Sequence, residues 1–164
     1  MRSLLLVGTT IPMLALAAAS FLSLPKKLIY NASESAPGSF YWVDGNPIGR
    51  GDYVLVRVPE RVRDLIHARG YLPPDVPLIK RVVSIEGDEI CRRGQEILMN
   101  GVTIAIAQLA DGLGRPMPDW QGCHTLTEDG VFLLQEHPLS FDGRYFGPVD
   151  CKLIIGRATR LRFP

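Results

Sequence analysis

The chain has 164 residues, a length that suits one folded domain with a short appendage. Apolar residues make up 46% of it and charged residues 21%, which is typical of globular proteins. The net charge of +1 provides no electrostatic basis for binding nucleic acid, so we predict no nucleic-acid partner.

The appendage is an apolar segment over residues 3–24, which carries no charged side chain. A helix of this length, rising about 1.5 Å per residue, crosses a hydrocarbon core of about 30 Å, so we predict a transmembrane anchor followed by a folded domain over residues 28–164. The basic residues that flank the segment nearly balance and do not fix its orientation. The alternative is a signal peptide cleaved near residues 15–19, and both interpretations put the domain outside the cytoplasm.

Short apolar runs separated by glycine and aspartate turns dominate the rest of the chain and predict β-strands. The dipeptide Asn100-Gly101 lies between two such runs and predicts a two-residue hairpin turn. Only residues 60–69 carry apolar side chains in a helical stripe. We therefore predict a mainly β domain of short antiparallel strands with one short helix. The predicted strands cover residues 52–58, 78–85, 96–106, 130–135 and 153–158, and residues 110–122 are predicted to form a loop.

The chain has three cysteines, Cys91, Cys123 and Cys151. In an oxidising compartment one pair can form a disulfide, and Cys91 with Cys123 is the candidate pair. The alternative is three buried thiols. The spacing of cysteines and histidines indicates no metal site, and no organic cofactor is predicted.

Lys80 lies in the run Pro77–Ile85, where nearly every neighbouring side chain is apolar and β-branched. Such a run predicts a strand that is buried on at least one face. A lysine in this setting either extends its amine to solvent or loses its proton, because burial disfavours the charged form. A neutral lysine can act as a general base, whereas the alternative is a strand lysine that points to solvent.

Ser35 lies in a polar segment, residues 31–41, shortly after the predicted anchor. Pro37 and Gly38 bend the chain just after this serine, and a loop of this kind presents a hydroxyl close to the bilayer surface. The alternative is an ordinary polar turn that leaves the membrane. Residues 31–33 also match an N-glycosylation sequon, but nothing in the sequence indicates the eukaryotic secretory route that this interpretation needs.

A third segment, residues 140–148, combines side chains that form hydrogen bonds with aromatic residues and glycines that fix a loop. A surface loop without a function rarely needs all of these together. We therefore interpret the segment as part of a functional site.

These three segments together resemble the type I signal peptidases, and in particular the TraF-like peptidases of conjugative transfer. The Ser-x-Pro motif of the family is matched by residues 35–37, and its Lys-Arg-Val strand with a Gly-Asp turn is matched by residues 80–82 and 87–88. Its late motif, Ser-x-Asp-x-Arg-Tyr-x-Gly, is intact over residues 140–147. One departure is Ser39, which stands where the branch usually has glycine, while the glycine of this chain comes one residue earlier.

The resemblance implies that Ser35 is the nucleophile and Lys80 the general base. Serine is a poor nucleophile until a base takes its proton, and lysine does so near neutral pH only when its pKa is depressed. The resemblance also implies an oxyanion hole made by the backbone N–H of Ser35 and the hydroxyl of Ser33. Removal of one such donor typically lowers the rate by about 10²–10³-fold.

The late motif has supporting roles in the same family. The resemblance implies that Ser140 makes a hydrogen bond that orients the lysine amine. It further implies that Asp142 and Arg144 form an ion pair that braces the site. A Ser-His-Asp triad is the alternative, but nothing in the sequence arranges a histidine beside the serine. The histidines of the chain are His67, His124 and His137.

The function implied by the resemblance is that of a serine endopeptidase with a single span in the bacterial inner membrane and a periplasmic catalytic domain. Its partners would be the lipid bilayer and an exported precursor protein, most specifically the pilin of a conjugation system. Cyclisation of the pilin after cleavage is implied by this resemblance alone. One alternative is a general type I signal peptidase that removes export signals. Another, of a different class, is a non-catalytic membrane-tethered scaffold of a secretion complex.

Overall fold

The structure, a computed structural model, describes residues 27–33, 35–73 and 75–162. The predicted anchor over residues 3–24, and the alternative cleavage sites within it, lie outside the described residues. Within the described ranges, no helix is long and apolar enough to cross a membrane.

Two antiparallel β-sheets make up most of the regular secondary structure in the described part of the chain. Their strands, in chain order, are β1 (Leu28–Tyr30), β2 (Phe40–Asp44), β3 (Tyr53–Val56), β4 (Leu78–Ser84), β5 (Glu89–Arg93), β6 (Glu96–Met99), β7 (Val102–Ile106), β8 (Gly122–Thr125), β9 (Gly130–Leu134), β10 (Val149–Asp150) and β11 (Ile154–Arg160). The larger sheet has the order β1-β2-β11-β3-β4-β9-β10 and the smaller one β7-β6-β5-β8. The described part of the chain also contains helices α1 (Glu60–Ala68) and α2 (Gly143–Phe146) and a 3₁₀ turn, Cys151–Leu153. This architecture confirms the predicted mainly β, antiparallel fold.

Local chemistry explains the elements that the sequence predicts. Each predicted strand segment contains an observed strand, and α1 occupies the predicted helix. Asn100 and Gly101 join β6 to β7 with φ angles of 50° and 80°, and a tight type I′ hairpin turn needs positive φ at both positions. In α1, Val62 and Ile66 lie one turn apart and are buried in the main apolar cluster of the domain.

Strand β4 runs through the larger sheet between β3 and β9. Its side chains alternate between two buried apolar clusters, since Ile79 belongs to the same cluster as Leu55, and Val82 to the same cluster as Val54. Lys80 is opposite Val54 in the register of β3 and β4. The lysine is therefore held in the interior of the larger sheet, flanked by apolar strands.

Several elements form through contacts between distant parts of the chain and have no clear local pattern. Strand β2 pairs with β1 and with β11 from the end of the chain, and β8 pairs with β5 although all of its residues are exposed. The prediction of a single helix also needs correction, because α2 lies inside the polar late segment. It begins where the Asp142 carboxylate accepts a hydrogen bond from the backbone N–H of Arg144, a side-chain cap that favours a helix start.

A disulfide joins Cys91 of β5 to Cys123 of β8, which lie opposite each other in the strand register. Cys151 is a free, partly exposed thiol. Of the two possibilities that the sequence left open, the structure therefore describes the disulfide. This covalent bond ties together two neighbouring strands of the smaller sheet.

Candidate active site

Protein atoms enclose the amine of Lys80. The residue is 3% exposed, and its Nζ donates a hydrogen bond of 2.7 Å to the hydroxyl oxygen of Ser140. Burial lowers the pKa of the Lys80 amine from 10.5 to about 8, because removal from water disfavours the charged form. The Asp142 carboxylate raises this pKa and the Arg144 guanidinium lowers it, and both effects are smaller than that of burial. A substantial fraction of the amine is therefore neutral near pH 8, in the form that accepts a proton.

The carboxylate of Asp142 is completely buried behind the lysine. It accepts hydrogen bonds from the backbone N–H of Gln135 at 2.9 Å, from the backbone N–H of Arg144 at 3.1 Å and from Nη1 of Arg144 at 2.8 Å. Burial has the largest effect on the pKa of this carboxyl and raises it above its ordinary value, although Lys80, Arg144 and the hydrogen bonds each lower it. Three N–H donors stabilise the ionised form, so Asp142 and Arg144 constitute a buried ion pair with its hydrogen bonds in place.

The guanidinium of Arg144 also holds the polar segment that leads to α2. Its Nη2 donates to the carbonyl of Gln135 at 3.0 Å, and Nη1 donates to the carbonyls of His137 and Ser140 at 3.3 and 3.5 Å. The side-chain amide of Gln135 in turn donates to the carbonyl of Ile79, next to the lysine, at 2.8 Å. The Arg144 side chain therefore joins α2 to the residue that follows β9 and to the segment that carries Ser140.

Two side chains, one from the smaller sheet and one from the loop before β8, donate hydrogen bonds to carbonyls of α2. Arg92 of β5 is 3% exposed, and its Nη1 donates to the carbonyl of Arg144 at 2.7 Å. The indole N–H of Trp120 donates to the carbonyl of Gly143 at 2.9 Å. Sequence reasoning missed Arg92, Trp120 and Gln135, because each acts on residues far away in the chain and none lies in a motif.

The hydroxyl of Ser35 lies in a loop that Asn31 organises. The amide nitrogen of Asn31 is within 2.9–3.1 Å of the carbonyls of Ser33, Ala36 and Gly38. Its Oδ1 accepts from the backbone N–H of Ser33 at 3.1 Å and from the Ser33 hydroxyl at 2.8 Å. Because a hydroxyl has one hydrogen, the 3.0 Å contact between the Ser33 and Ser35 hydroxyls is donated by Ser35.

The turn after the serine depends on Gly38. Its φ is 84°, and a Cβ at this position would lie 2.6 Å from Nε of Arg160. Glycine adopts this positive φ without strain. In this chain the glycine of the turn comes one residue earlier than in the family pattern. The hydroxyl of Tyr41 also donates to the carbonyl of Pro37, and Ala36 is buried in the same cluster as Ile79, the residue before the lysine.

The predicted site residues form two groups. Lys80, Ser140, Asp142 and Arg144 are joined by short contacts, and Ser33 and Ser35 are joined in the serine loop. Among the described residues, no hydrogen bond links Ser35 of the second group to Lys80 of the first.

One group of potential metal ligands lies in the described part of the chain. Only Glu89, Cys91 and Cys123 bring three potential ligand atoms within 4.8 Å of one another there. The two sulfur atoms are bonded to each other, so they are not thiolates, the form of cysteine that binds zinc.

The side chains of His124 and His137 make contacts of their own. His124 packs against the ring of Trp120, and Nδ1 of His137 accepts from the backbone N–H of Leu139 at 3.2 Å. In the described ranges, no histidine is hydrogen-bonded to Ser35. This arrangement offers no support for the alternative histidine triad.

Comparison with known proteins places the chain in a family. The family model for signal peptidase, peptidase S26, matches residues 1–162. A plasmid transfer protein TraF of Escherichia coli is 35% identical over 154 residues, covering 87% of this chain and 85% of that protein. A probable conjugal transfer protein TraF of Sinorhizobium fredii is 35% identical over 125 residues, covering 70% and 65%. A crystal structure of a signal peptidase I from Enterococcus faecalis covers 70% of this chain and 98% of that chain, with a TM-score of 0.41 and 19% identity.

The chain therefore belongs to the signal peptidase family, peptidase S26, and within it to the TraF-like branch. This confirms the resemblance that rests on the three motifs, together with the predicted peptidase class. The matched residues 1–162 include the serine loop, the lysine strand and the late segment.

Proposed function

We propose that the chain is a membrane-anchored serine endopeptidase that cleaves an exported precursor, with Ser35 as nucleophile and Lys80 as general base. The observation that carries the proposal is the buried Lys80 amine, whose pKa is lowered to about 8 and whose hydrogen-bond partner is the Ser140 hydroxyl. Burial of a charged lysine costs free energy, and a role as general base would account for that cost.

The first chemical step is proton transfer coupled to attack. The neutral Nζ of Lys80 takes the hydroxyl proton of Ser35 while Oγ bonds to the carbonyl carbon, and the carbonyl electron pair moves onto oxygen. For this step Ser35 must exchange its contact with Ser33 for one with the lysine. Catalytic hydrogen bonds are commonly long in a free enzyme and tighten when substrate binds. Burial of Ala36 in the same apolar cluster as Ile79 supports this proposal, because the cluster joins the serine loop to the lysine strand.

The oxyanion is stabilised by the backbone N–H of Ser35 and by the hydroxyl of Ser33, which is 3.0 Å from the nucleophile. The Ser33 hydroxyl must rotate its proton away from Asn31 to donate to this oxygen. When the C–N bond breaks, the Lys80 ammonium returns its proton to the leaving amine, and Ser35 holds the acyl group as an ester. Lys80 then deprotonates a water that hydrolyses the ester and restores the serine.

The substrate class follows from the branch to which the chain belongs. Relatives named as plasmid and conjugal transfer proteins support a role in conjugation, and the pilin precursor is the substrate that the resemblance implies. The Cys91–Cys123 disulfide supports a periplasmic location, because disulfides persist in oxidising compartments. The apolar segment over residues 3–24 would hold the domain at the inner membrane.

The test is co-expression of the full chain with a conjugative pilin precursor, read by mass spectrometry. We expect cleavage by the parent and none by Ser35→Ala or by Lys80→Arg, because arginine does not deprotonate in proteins. Ser39→Ala and Lys152→Arg are matched controls, since both residues are exposed and lie outside the site, and they should cleave like the parent.

The alternatives give different results in the same experiment. Cleavage of ordinary exported precursors in place of the pilin would support a general signal peptidase, which the family description favours. Normal cleavage by either Ser35→Ala or Lys80→Arg would contradict the proposed dyad, and absence of cleavage by the parent would favour the non-catalytic scaffold.

A further inference from the structure

Helix α2 is too short to satisfy its own carbonyl groups. It covers only Gly143–Phe146, and every residue in it is buried. In a longer helix the carbonyl of Arg144 would accept a hydrogen bond from the backbone N–H four residues later. That residue is Pro148, which has no N–H. The Arg144 carbonyl therefore needs a donor from elsewhere in the molecule, because a buried carbonyl without a partner costs free energy.

Arg92 of β5 supplies this donor. Its side chain is 3% exposed, and its Nη1 lies 2.7 Å from the carbonyl oxygen of Arg144. The guanidinium also donates to the carbonyls of Gly94 and Pro118, at 2.9 and 3.5 Å. None of the ion pairs in the described part of the chain includes Arg92. Its contact with α2 is buried, so loss of Arg92 would leave the Arg144 carbonyl without its partner.

Trp120 holds the preceding carbonyl of the same helix. Its indole N–H donates to the carbonyl of Gly143 at 2.9 Å. The ring also lies against Gly147, just after the helix, where an added Cβ would be 3.4 Å from it, and it packs edge-on against Phe132. Arg92 and Trp120 therefore donate to two successive carbonyls of α2.

The Cys91–Cys123 disulfide joins the two segments that carry these donors. Cys91 is next to Arg92 in β5, and Cys123 in β8 follows Trp120 by three residues. All residues of β8 are exposed, and the register of a strand without a buried face is weakly specified by packing. A covalent bond between opposite residues of β5 and β8 fixes that register. It therefore keeps Trp120 in a constant position relative to Arg92.

We propose that Arg92 and Trp120 are positioning residues that act on the Lys80 amine through α2, and that the disulfide between their segments keeps the two donors together. The proposal rests on the proposed endopeptidase function for the role of that amine as the base. The start of α2 transmits the effect, because Asp142 caps the helix and pairs with Arg144. These two residues carry the charges that act on the lysine amine, so movement of α2 alters its surroundings.

The first test measures the pKa of Lys80, by nuclear magnetic resonance of its ε-carbon in the full chain in detergent micelles. Arg92→Met keeps the aliphatic stem and removes the donor. We expect it to raise the Lys80 pKa by about 0.5–1 unit from the parental value, because a loosened α2 admits water to the amine. Trp120→Phe keeps an aromatic ring without the N–H and should raise this pKa by a smaller amount. Arg93→Met is the matched control, since Arg93 is exposed and points to the other face of β5, and it should leave the pKa unchanged.

Combined variants test the part of the disulfide. Replacement of both Cys91 and Cys123 by alanine should raise the lysine pKa in the parental chain. In a chain that already carries Arg92→Met and Trp120→Phe, the same replacement should add no further shift, because no donor is left for the disulfide to hold. Cys151→Ala removes the free thiol instead and should leave the pKa at the parental value.

A purely structural role would give a different result. Arg92→Met and Trp120→Phe would then lower the Tm but leave the lysine pKa unchanged in the folded protein, and this outcome would overturn the proposal. An equal shift with Arg93→Met, or an undiminished effect of the cysteine replacement in the doubly substituted chain, would overturn it too. Arg92→Lys should stay close to the parental pKa, since an ammonium can donate to the same carbonyl. If Arg92→Met does not fold, Trp120→Phe decides, because it retains the ring packing.

Cleavage assays separate this proposal from the proposed function. At pH 8, Arg92→Met should lower kcat about 10-fold and change KM less than about 2-fold, because it displaces the base and touches no substrate. The pKa shifts should also appear in Ser35→Ala, which lacks the nucleophile. If the parent cleaves no precursor but the shifts are as expected, the positioning role stands and the proposed function is wrong. If cleavage needs Ser35 and Lys80 but neither Arg92→Met nor Trp120→Phe shifts the pKa, the function stands and the positioning role is wrong.

Discussion

The candidate site has a lysine half, made of Lys80, Ser140, Asp142 and Arg144, and a serine half, made of Ser33 and Ser35 in their loop. The fold holds the first half by contacts between distant residues and the second by local contacts. Lys80 is 3% exposed, and its partner Ser140 is 60 positions away in the chain. Ser33 is exposed and Ser35 half-buried, and the hydrogen bonds that shape their loop through Asn31 span at most seven residues. The pKa of the base is therefore a product of the folded core, whereas the position of the nucleophile is a product of one short turn.

Because of this difference, substitutions in the two halves of the site should have different effects. A change in the lysine half should alter the free energy of unfolding and its pH dependence. Removal of a hydroxyl from the serine half should alter the rate of cleavage and leave the domain stable.

Asp142→Ala should destabilise the protein by about 3–5 kcal/mol, because it leaves the buried guanidinium of Arg144 without its partner. Asp150→Ala is the control. Its carboxylate also caps a helical turn, at the backbone N–H of Lys152, but its side chain is 47% exposed, so the loss should be about 1 kcal/mol. Urea unfolding of the full chain in detergent measures both. Equal losses would contradict the assignment of the lysine half to the core.

Ser33→Ala should lower kcat about 10²–10³-fold, since it removes one donor to the oxyanion, and should change the free energy of unfolding by less than about 0.5 kcal/mol. Ser39→Ala, in the same loop and also exposed, should change neither quantity. Precursor cleavage under saturating substrate gives kcat. A Ser33→Ala protein that cleaves at the parental rate would show that its hydroxyl is not part of the site.

Lys80→Met should remove a pH dependence of stability. Because the folded pKa of Lys80, about 8, lies below its ordinary value of 10.5, the unfolded chain binds more protons between these values, and the parent gains stability as pH rises through that window. The gain is about 3 kcal/mol in total. Relative to Lys80→Met, the parent should become more stable from pH 7 to pH 10. A difference between the parent and Lys80→Met that stays constant over this pH range would contradict a buried amine.

Gly38→Ala should cost about 1–2 kcal/mol and slow cleavage, because alanine is disfavoured at a φ of 84° and its Cβ would meet Arg160. Gly112→Ala is the control, since a Cβ there has no neighbour within 4 Å. Its stability should stay within about 0.5 kcal/mol of the parent. Thermal unfolding and cleavage assays compare the two, and equal behaviour would mean that the serine turn tolerates a side chain.

The parts of the fold that follow from the sequence are those that local chemistry determines. The Asn100-Gly101 hairpin and the apolar strand around Lys80 are examples, because turn residues and β-branched runs have their preferences built in. Strand β8 could not be predicted, since its exposed residues become a strand only by pairing with β5. The second helix, α2, could not be predicted either, because the polar residues of its segment are equally compatible with a loop.

The same distinction applies to the candidate site. Ser35 and Lys80 stand in short motifs that a family resemblance identifies. The supports of the site, such as Arg92 on the carbonyl of Arg144 and Gln135 on the carbonyl of Ile79, depend on contacts between distant residues. No spacing in a single sequence encodes those contacts, so only the folded structure reveals them.

The central claim is that a shielded, partly neutral lysine amine activates a serine hydroxyl. The dependence of kcat/KM on pH for cleavage of the precursor tests it most directly, because this profile reports the pKa of the base in the free enzyme. For the parent, kcat/KM should rise with pH and level off above a pKa of about 8, the value to which burial lowers the Lys80 amine. A rate that is constant between pH 6 and pH 9, or one that is governed by a group titrating near 6.5 as an unperturbed histidine does, would contradict the account.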